Sequence, residues 1–173
     1  HYSYLYKMSN KEDIKEEELN NEVSQEQETV DSSEENNTEA VEEVIELSVE
    51  EHLRIFAAFK GVKKEDVDKE IHNMIVSIGL TEKVHEPARS LSGGQKRKLS
   101  IGIAFIGGSR IVILDEPTSG MDPYSRRFTW NVIRQHREGR IIVLTTHFMD
   151  EADLLGDRIA IMGDGKLKCC GSS

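Results

Sequence analysis

Two short apolar runs, each followed by polar side chains, constrain the fold of this chain most strongly. Residues 111–114 read Ile-Val-Ile-Leu and residues 141–144 read Ile-Ile-Val-Leu, a pattern typical of strands buried on both faces inside a parallel sheet. Between them, Asp122 and Pro123 form an N-cap and first-turn pair that predicts a helix. The sequence therefore predicts a strand–helix–strand unit and an α/β fold.

The residues that follow these two runs are candidates for chemistry. Asp115 and Glu116 end the first run, and His147 follows the second after two threonines. Open α/β folds bind ligands at the carboxyl edge of the sheet. There Asp115 could hold a magnesium ion, Glu116 could polarise a water as general base, and His147 could contact a terminal phosphate. The alternative is that the two acids only mark the exit of a strand before Pro117.

A glycine pair at the start of a predicted helix is a second candidate site. Ser92 is the expected N-cap of a helix that begins with Gly93, Gly94 and Gln95. Two glycines let the backbone approach a ligand closely, and a helix start offers unpaired N–H groups to a phosphate. Taken alone, the tetrapeptide could equally be an ordinary turn.

The remaining ordered elements are interpreted as packing elements. Ser48 with Glu51 forms a capping box for one amphipathic helix that ends at Gly61, and a second helix from Val67 ends at Gly79. A short strand over residues 159–162 and a Gly-Asp-Gly turn predict a closing hairpin with a final edge strand.

Charge divides the chain into two parts. The net charge is −10, and residues 1–46 contain 15 acidic side chains against three lysines. This segment has too few apolar residues to offset the entropy of ordering, so we expect an acidic, disordered tail, although its first apolar residues could adhere to something. Its charge disfavours nucleic acid as a partner. No apolar run is long enough to span a membrane, and two adjacent cysteines indicate no disulfide scaffold.

Together, these motifs resemble those of ATP-binding cassette (ABC) proteins. Residues 91–95 resemble the signature motif, residues 111–116 the Walker B strand, residues 119–122 the D-loop, and His147 the switch histidine. All four occur in the order of that family. The amino-acid sequences of residues 115–127 and 149–158 resemble those of the A subfamily of ABC transporters. The resemblance covers about residues 47–173.

The resemblance implies a role for each matching residue. Asp115 would support a Mg²⁺ ion, Glu116 would be the catalytic base, and His147 would contact the γ-phosphate of ATP. The ATP-binding residues would be Ser92, Gly93, Gly94, Gln95 and Asp122, which would act on a nucleotide shared with a second nucleotide-binding domain. The resemblance also implies transmembrane domains as partners, lipid as cargo, and a place on the cytosolic face of a membrane.

The phosphate-binding loop of such a cassette, Gly-x-x-x-x-Gly-Lys-Ser/Thr, does not occur in this sequence. We therefore expect three regions: an acidic segment over residues 1–46, a helical subdomain over residues 47–106, and a partial P-loop NTPase-like core with a parallel sheet over residues 107–173. The chain would be the back half of a cassette and would begin inside a longer product. Alone it would neither bind ATP tightly nor hydrolyse it. The alternative is a catalytically silent truncated cassette that acts as a partner-binding module or is a gene remnant.

Overall fold

The computed structural model describes residues 2–8 and 47–172 of the chain. Three helices follow the first strand, and strands and helices alternate from residue 111 to residue 163. The helices are α1 (Val49–Phe59), α2 (Val67–Ile78), α3 (Gly93–Phe105), α4 (Pro123–Gln135) and α5 (Met149–Leu155). The strands are β1 (Tyr2–Met8), β2 (Ile111–Asp115), β3 (Ile141–Thr146), β4 (Arg158–Gly163) and β5 (Lys166–Ser172). Three-residue 3₁₀ turns occur at Thr81–Lys83, Ala88–Ser90 and Ile106–Gly108.

The helix boundaries follow the capping residues in the sequence. Ser48 and Glu51 form the predicted capping box of α1, and Gly79 ends α2 in the left-handed conformation with φ 67°. Asp122 caps α4, with Pro123 in its first turn. The short helix α5 was not predicted, because its seven residues contain too few apolar positions to show a helical period.

The strands form one sheet in the order β2-β3-β1-β4-β5. Strands β2 and β3 are parallel, with Asp115 opposite Thr145 at their carboxyl ends. The β4–β5 hairpin is antiparallel, as expected, and its turn places Asp164 and Gly165 at positive φ. The predicted α/β architecture, with a parallel strand pair and a helical part, is confirmed.

Strand β2 departs from the prediction that both apolar runs are buried on both faces. It lies at the edge of the sheet and pairs with β3 alone. Its burial alternates, because Val112 and Leu114 face the helices, whereas Ile111 is 51% exposed and Ile113 is 72% exposed. Among the described residues, nothing covers this outer face of β2, so the apolar run alone could not distinguish one covered face from two.

The amino-terminal residues also depart from the prediction. We expected residues 1–46 to be disordered, yet Tyr2–Met8 form β1, which pairs antiparallel with both β3 and β4. Strands β3 and β4 therefore run in the same direction on either side of an oppositely directed strand. The expected disorder of the rest of the acidic segment, residues 9–46, lies outside the described residues.

The core lies between the helices and the covered face of the sheet. Its largest fully buried apolar side chains come from all five helices, the 3₁₀ turn after α3 and the inner face of β3: Val49, Leu53, Ile78, Phe105, Ile106, Ile133, Ile142, Leu144 and Leu155. The Lys60 ammonium donates to the carbonyl oxygens of Ile103 (2.7 Å) and Ala104 (2.8 Å), so the end of α1 caps the end of α3. No helix within residues 47–172 has the length and apolar character that crossing a bilayer requires.

Candidate active site at the carboxyl edge of the sheet

The parallel pairing of β2 with β3 brings two of the predicted catalytic residues into contact. Glu116 follows β2 and His147 follows β3, and His147 Nδ1 lies 3.1 Å from Glu116 Oε1. Both side chains are partly exposed, His147 by 45% and Glu116 by 39%. A carboxylate and an imidazole in contact at an accessible sheet edge can together hold a water or a phosphate oxygen.

Glu116 is held in an unusual backbone conformation. Its φ of 43° lies in the left-handed region, which costs a residue with a side chain about 1 kcal/mol or more. Its N–H lies 3.1 Å from both the carbonyl oxygen and the hydroxyl oxygen of Thr145. In this conformation, Glu116 Oε1 is the atom that contacts His147 Nδ1.

Asp115 lies beside this pair and is a candidate metal ligand. The Thr145 hydroxyl donates a hydrogen bond to Asp115 Oδ1. Within the described part of the chain, no three His, Cys, Asp or Glu side chains are grouped so as to hold a metal ion. Magnesium usually binds through one or two carboxylates and completes its shell with water and substrate phosphates. Asp115 therefore fits an ion that is held mainly by a nucleotide.

The Ser-Gly-Gly-Gln segment lies at the start of α3, where its two polar side chains cap each other. Ser92 Oγ accepts from the Gln95 N–H (3.3 Å), and Gln95 Oε1 accepts from the Ser92 N–H (2.9 Å). A Cβ added at Gly93 or Gly94 would meet no atom within 4 Å. At this helix start Gly93 is exposed and Gly94 is half-buried, and the side-chain hydrogen bonds of the segment stay within it and do not reach the Glu116–His147 pair.

Asp122, the remaining predicted site residue, caps α4. Its Oδ1 accepts hydrogen bonds from the Tyr124 N–H and the Ser125 N–H, each at 3.0 Å. Hydrogen bonds from the side chain and the backbone of Ser125 lower the pKa of Asp122, so the carboxyl stays ionised to lower pH than usual. Arg97 of α3 donates to the Ser119 carbonyl oxygen (3.4 Å), which links α3 to the loop before Asp122.

A buried carboxylate behind the edge was not predicted. Glu151 of α5 is 0% exposed, and its Oε1 accepts from the Thr118 hydroxyl (2.9 Å) and the Trp130 indole N–H (2.8 Å). The sequence signal was absent, because Asp150 and Asp153 on the same short helix are also acidic but exposed. Only the packing of α5 against α4 distinguishes Glu151 from them.

Comparison with known proteins decides the family. The family model described as ABC transporter matches residues 5–119. This chain belongs to the ABC transporter family. It is 57% identical over 127 residues to rat ATP-binding cassette sub-family A member 2, and 58% identical over 127 residues to human phospholipid-transporting ATPase ABCA3. Each alignment covers 73% of this chain but only 5% and 8% of those relatives, so the chain spans a small part of their length.

Solved structures give the same assignment. The ATP-binding subunit of an ABC transporter aligns with a TM-score of 0.67 at 27% identity, over 74% of this chain and 54% of that one. An ATP-binding cassette of an ABC transporter in its ADP conformation has a TM-score of 0.61 at 20% identity, over 76% and 57%, and supports the fold alone. The predicted resemblance to ABC cassettes and to the A subfamily is confirmed.

Proposed function

We propose that this chain carries the hydrolytic residues of an ABC nucleotide-binding domain, with Glu116 as the general base and His147 as the contact to the γ-phosphate. The observation that supports this is the 3.1 Å contact between His147 Nδ1 and Glu116 Oε1 at the carboxyl ends of parallel strands. A water next to this pair would lose its proton to Glu116 while His147 fixes the phosphate that it attacks.

The other predicted site residues take supporting roles in this proposal. Asp115 would hold Mg²⁺ together with the nucleotide's phosphates, and the ion would neutralise their developing negative charge. The open backbone of Gly93 and Gly94, with Ser92 and Gln95, would contact a nucleotide bound by a second nucleotide-binding domain. Asp122, next to that domain interface, would link the two ATP sites.

The names of the relatives support a proposal about the partners of this chain and about the transported molecule. Human ABCA3 and human ABCA4 are both named as phospholipid-transporting ATPases, and this chain is 58% and 52% identical to them over its matching part. We propose that the helical subdomain, residues 47–106, contacts transmembrane domains on the cytosolic face of a membrane, and that the transported molecule is a lipid. The partial α/β core, residues 107–173, would carry the hydrolytic step.

A chimeric cassette tests the hydrolytic roles. Residues 47–172 replace the corresponding residues of human ABCA3, which brings the phosphate-binding loop that this sequence does not contain. We expect Mg²⁺-dependent ATP hydrolysis, and loss of about 10²-fold or more of the rate in Glu116→Gln with ATP binding retained, since a general base contributes about 10²–10⁴-fold. The exposed Glu138→Gln is the matched control and should keep the rate.

Two results would contradict the proposal. A chimera that folds and binds ATP but does not hydrolyse it would favour a catalytically silent partner-binding module. Equal rates for Glu116→Gln and Glu138→Gln would remove Glu116 from the chemistry. For the 173-residue chain alone, we expect no micromolar affinity for ATP by calorimetric titration, because a phosphate-binding loop is not part of its sequence.

A further inference from the structure

Glu151 lies in a position that connects the two segments carrying the proposed catalytic pair. Thr118, whose hydroxyl donates to Glu151 (2.9 Å), is two residues beyond Glu116 on the loop after β2. Glu151 itself is four residues beyond His147, on α5. The hydrogen bond between Thr118 and Glu151 therefore joins the loop of Glu116 to the helix that follows His147.

The cluster is buried, which makes this connection stiff. Glu151 and Thr118 are each 0% exposed, and Trp130 of α4 is 8% exposed. The Trp130 indole N–H donates to the same oxygen, Glu151 Oε1, at 2.8 Å. Two donors on one buried carboxylate oxygen fix its position, because any displacement would leave a buried polar group without its partner. We refer to Thr118, Trp130 and Glu151 as the Glu151 cluster.

A second set of contacts leads from the cluster to the ring beside His147. The Arg126 guanidinium carbon lies 5.2 Å from the Trp130 ring centroid and 3.8 Å from that of Phe148. The Phe148 ring lies in turn 4.0 Å from the His147 ring, centroid to centroid. The aromatic and cationic stack thus supports His147 from the same buried cluster that holds the Glu116 loop.

We propose that Glu151 is a positioning residue that sets the separation between Glu116 and His147. This inference builds on the proposed function, since it assigns a purpose to the geometry of that pair. A buried carboxylate is costly to keep in a protein core unless its hydrogen bonds are made, whereas an apolar residue would only have to fill the space. Here the carboxylate joins three elements, the loop after β2, α4 and α5, at the point where they support the edge of the sheet.

The test measures whether a change at Glu116 still alters the NMR signals of His147 when the Glu151 cluster is altered. In the 173-residue chain, the ring signals of His147 are recorded by ¹H–¹³C NMR and assigned with His147→Gln. Glu116→Gln should shift these signals, because the two side chains are 3.1 Å apart. The shift that Glu116→Gln causes is then measured again in the Glu151→Gln variant. The difference between the two shifts is the part of the Glu116–His147 coupling that depends on Glu151. No nucleotide is present, so the result does not depend on whether the chain or the chimera hydrolyses ATP.

Thr118→Val and Thr129→Val are the matched pair for this experiment. Both threonines are buried, but the Thr129 hydroxyl contacts Met121 Sδ (3.5 Å) and not Glu151. We expect the shift that Glu116→Gln causes at His147 to fall at least about twofold in Glu151→Gln and in Thr118→Val, and to persist in Thr129→Val. If Glu151→Gln does not fold, Thr118→Val decides.

The opposite result would overturn the proposal. If folded Thr118→Val retains the full shift, the cluster only stabilises the domain and does not position the pair. An equal reduction in Thr118→Val and Thr129→Val would also contradict it, since loss of any buried hydroxyl would then have the same effect. A reduction confined to the variants of the Glu151 cluster would confirm that Glu151 acts on the geometry of Glu116 and His147.

Discussion

Glu116 and Glu151 are carboxylates with opposite surroundings, although they belong to the same edge of the sheet. Glu116 is partly exposed, has a left-handed backbone and contacts an exposed histidine. Glu151 has no exposed surface, lies in a regular helix and accepts two hydrogen bonds from buried donors. The first has the conformational strain common at functional sites, and the second is a buried carboxylate whose Oε1 is held by two hydrogen bonds.

Under the proposed function, this difference separates the reactive group from the group that supports it. A general base needs access to water and to the substrate, so its contacts contribute little to stability. The group that holds it in place has the opposite requirement, because a hydrogen bond fixes position best where solvent cannot compete. Stability measurements should therefore separate the two glutamates even though both are proposed to serve one reaction.

The largest expected effect is the loss of the buried anchor. Glu151→Ala should lower the free energy of unfolding by about 2–4 kcal/mol, because it leaves the Thr118 hydroxyl and the Trp130 N–H buried without their acceptor and creates a cavity. Urea unfolding followed by Trp130 fluorescence, from the single tryptophan of the chain, measures it. Glu138→Ala, at an exposed acid in the turn after α4, should stay within about 0.5 kcal/mol. Equal losses in the two variants would remove the distinction between anchor and surface.

A smaller effect of opposite sign is expected at Glu116. Glycine adopts the left-handed conformation without strain, so Glu116→Gly should raise the free energy of unfolding by about 0.5 kcal/mol, after its greater freedom in the unfolded chain is subtracted. Glu138→Gly is the control. Glu138 is an exposed residue without positive φ, and it should lose about 0.5–1 kcal/mol.

The sign of the difference between these two variants is the decisive quantity. Chemical denaturation under identical conditions should place Glu116→Gly above Glu138→Gly in stability by about 1 kcal/mol. If Glu116→Gly were the less stable of the two, the contacts of the Glu116 side chain would outweigh its backbone strain. The contrast between a reactive Glu116 and an anchoring Glu151 would then be lost.

Much of this edge could be predicted from sequence because local patterns specify it. The apolar runs ending in Asp115-Glu116 and Thr-Thr-His147 placed the catalytic candidates at the ends of two strands, and their parallel pairing brought Glu116 to His147. Ser48, Ser92 and Asp122 marked helix starts because each caps through atoms within three residues. These features depend on short-range geometry.

The features that were missed depend on contacts between distant segments. Glu151 and Asp150 are neighbouring acids on α5, but Glu151 is buried and Asp150 is exposed. The difference depends on the contact of Glu151 with Trp130, which lies 21 residues earlier in the chain. The pairing of Tyr2–Met8 with β3 joins residues more than 100 positions apart. No periodicity encodes such choices, and the same apolar run suits an edge strand such as β2 or a central strand such as β3.

The smallest expected effect is a pH dependence of the free energy of unfolding, caused by the half-buried His136. Like Glu151, this residue supports the fold and does not belong to the open edge. Burial, and then the nearby positive charge of Arg140, lowers the pKa of His136 below the ordinary value for histidine of about 6.5. The imidazole stacks on Phe105 and lies 2.9 Å from Ser77 Oγ, which requires no positive charge. The ring should therefore stay neutral in the folded chain at pH values where the unfolded chain binds a proton.

The sign of the effect follows from proton binding. Well above pH 6.5, at about pH 8, the ring is neutral in both the folded and the unfolded state and contributes no slope. As the pH falls from there toward the lowered pKa of the folded state, the unfolded chain binds more protons, so the free energy of unfolding should decrease. His136→Gln should flatten this part of the stability curve, measured by urea unfolding from about pH 7.5 to 5.5. An unchanged slope in His136→Gln would assign the dependence to other groups.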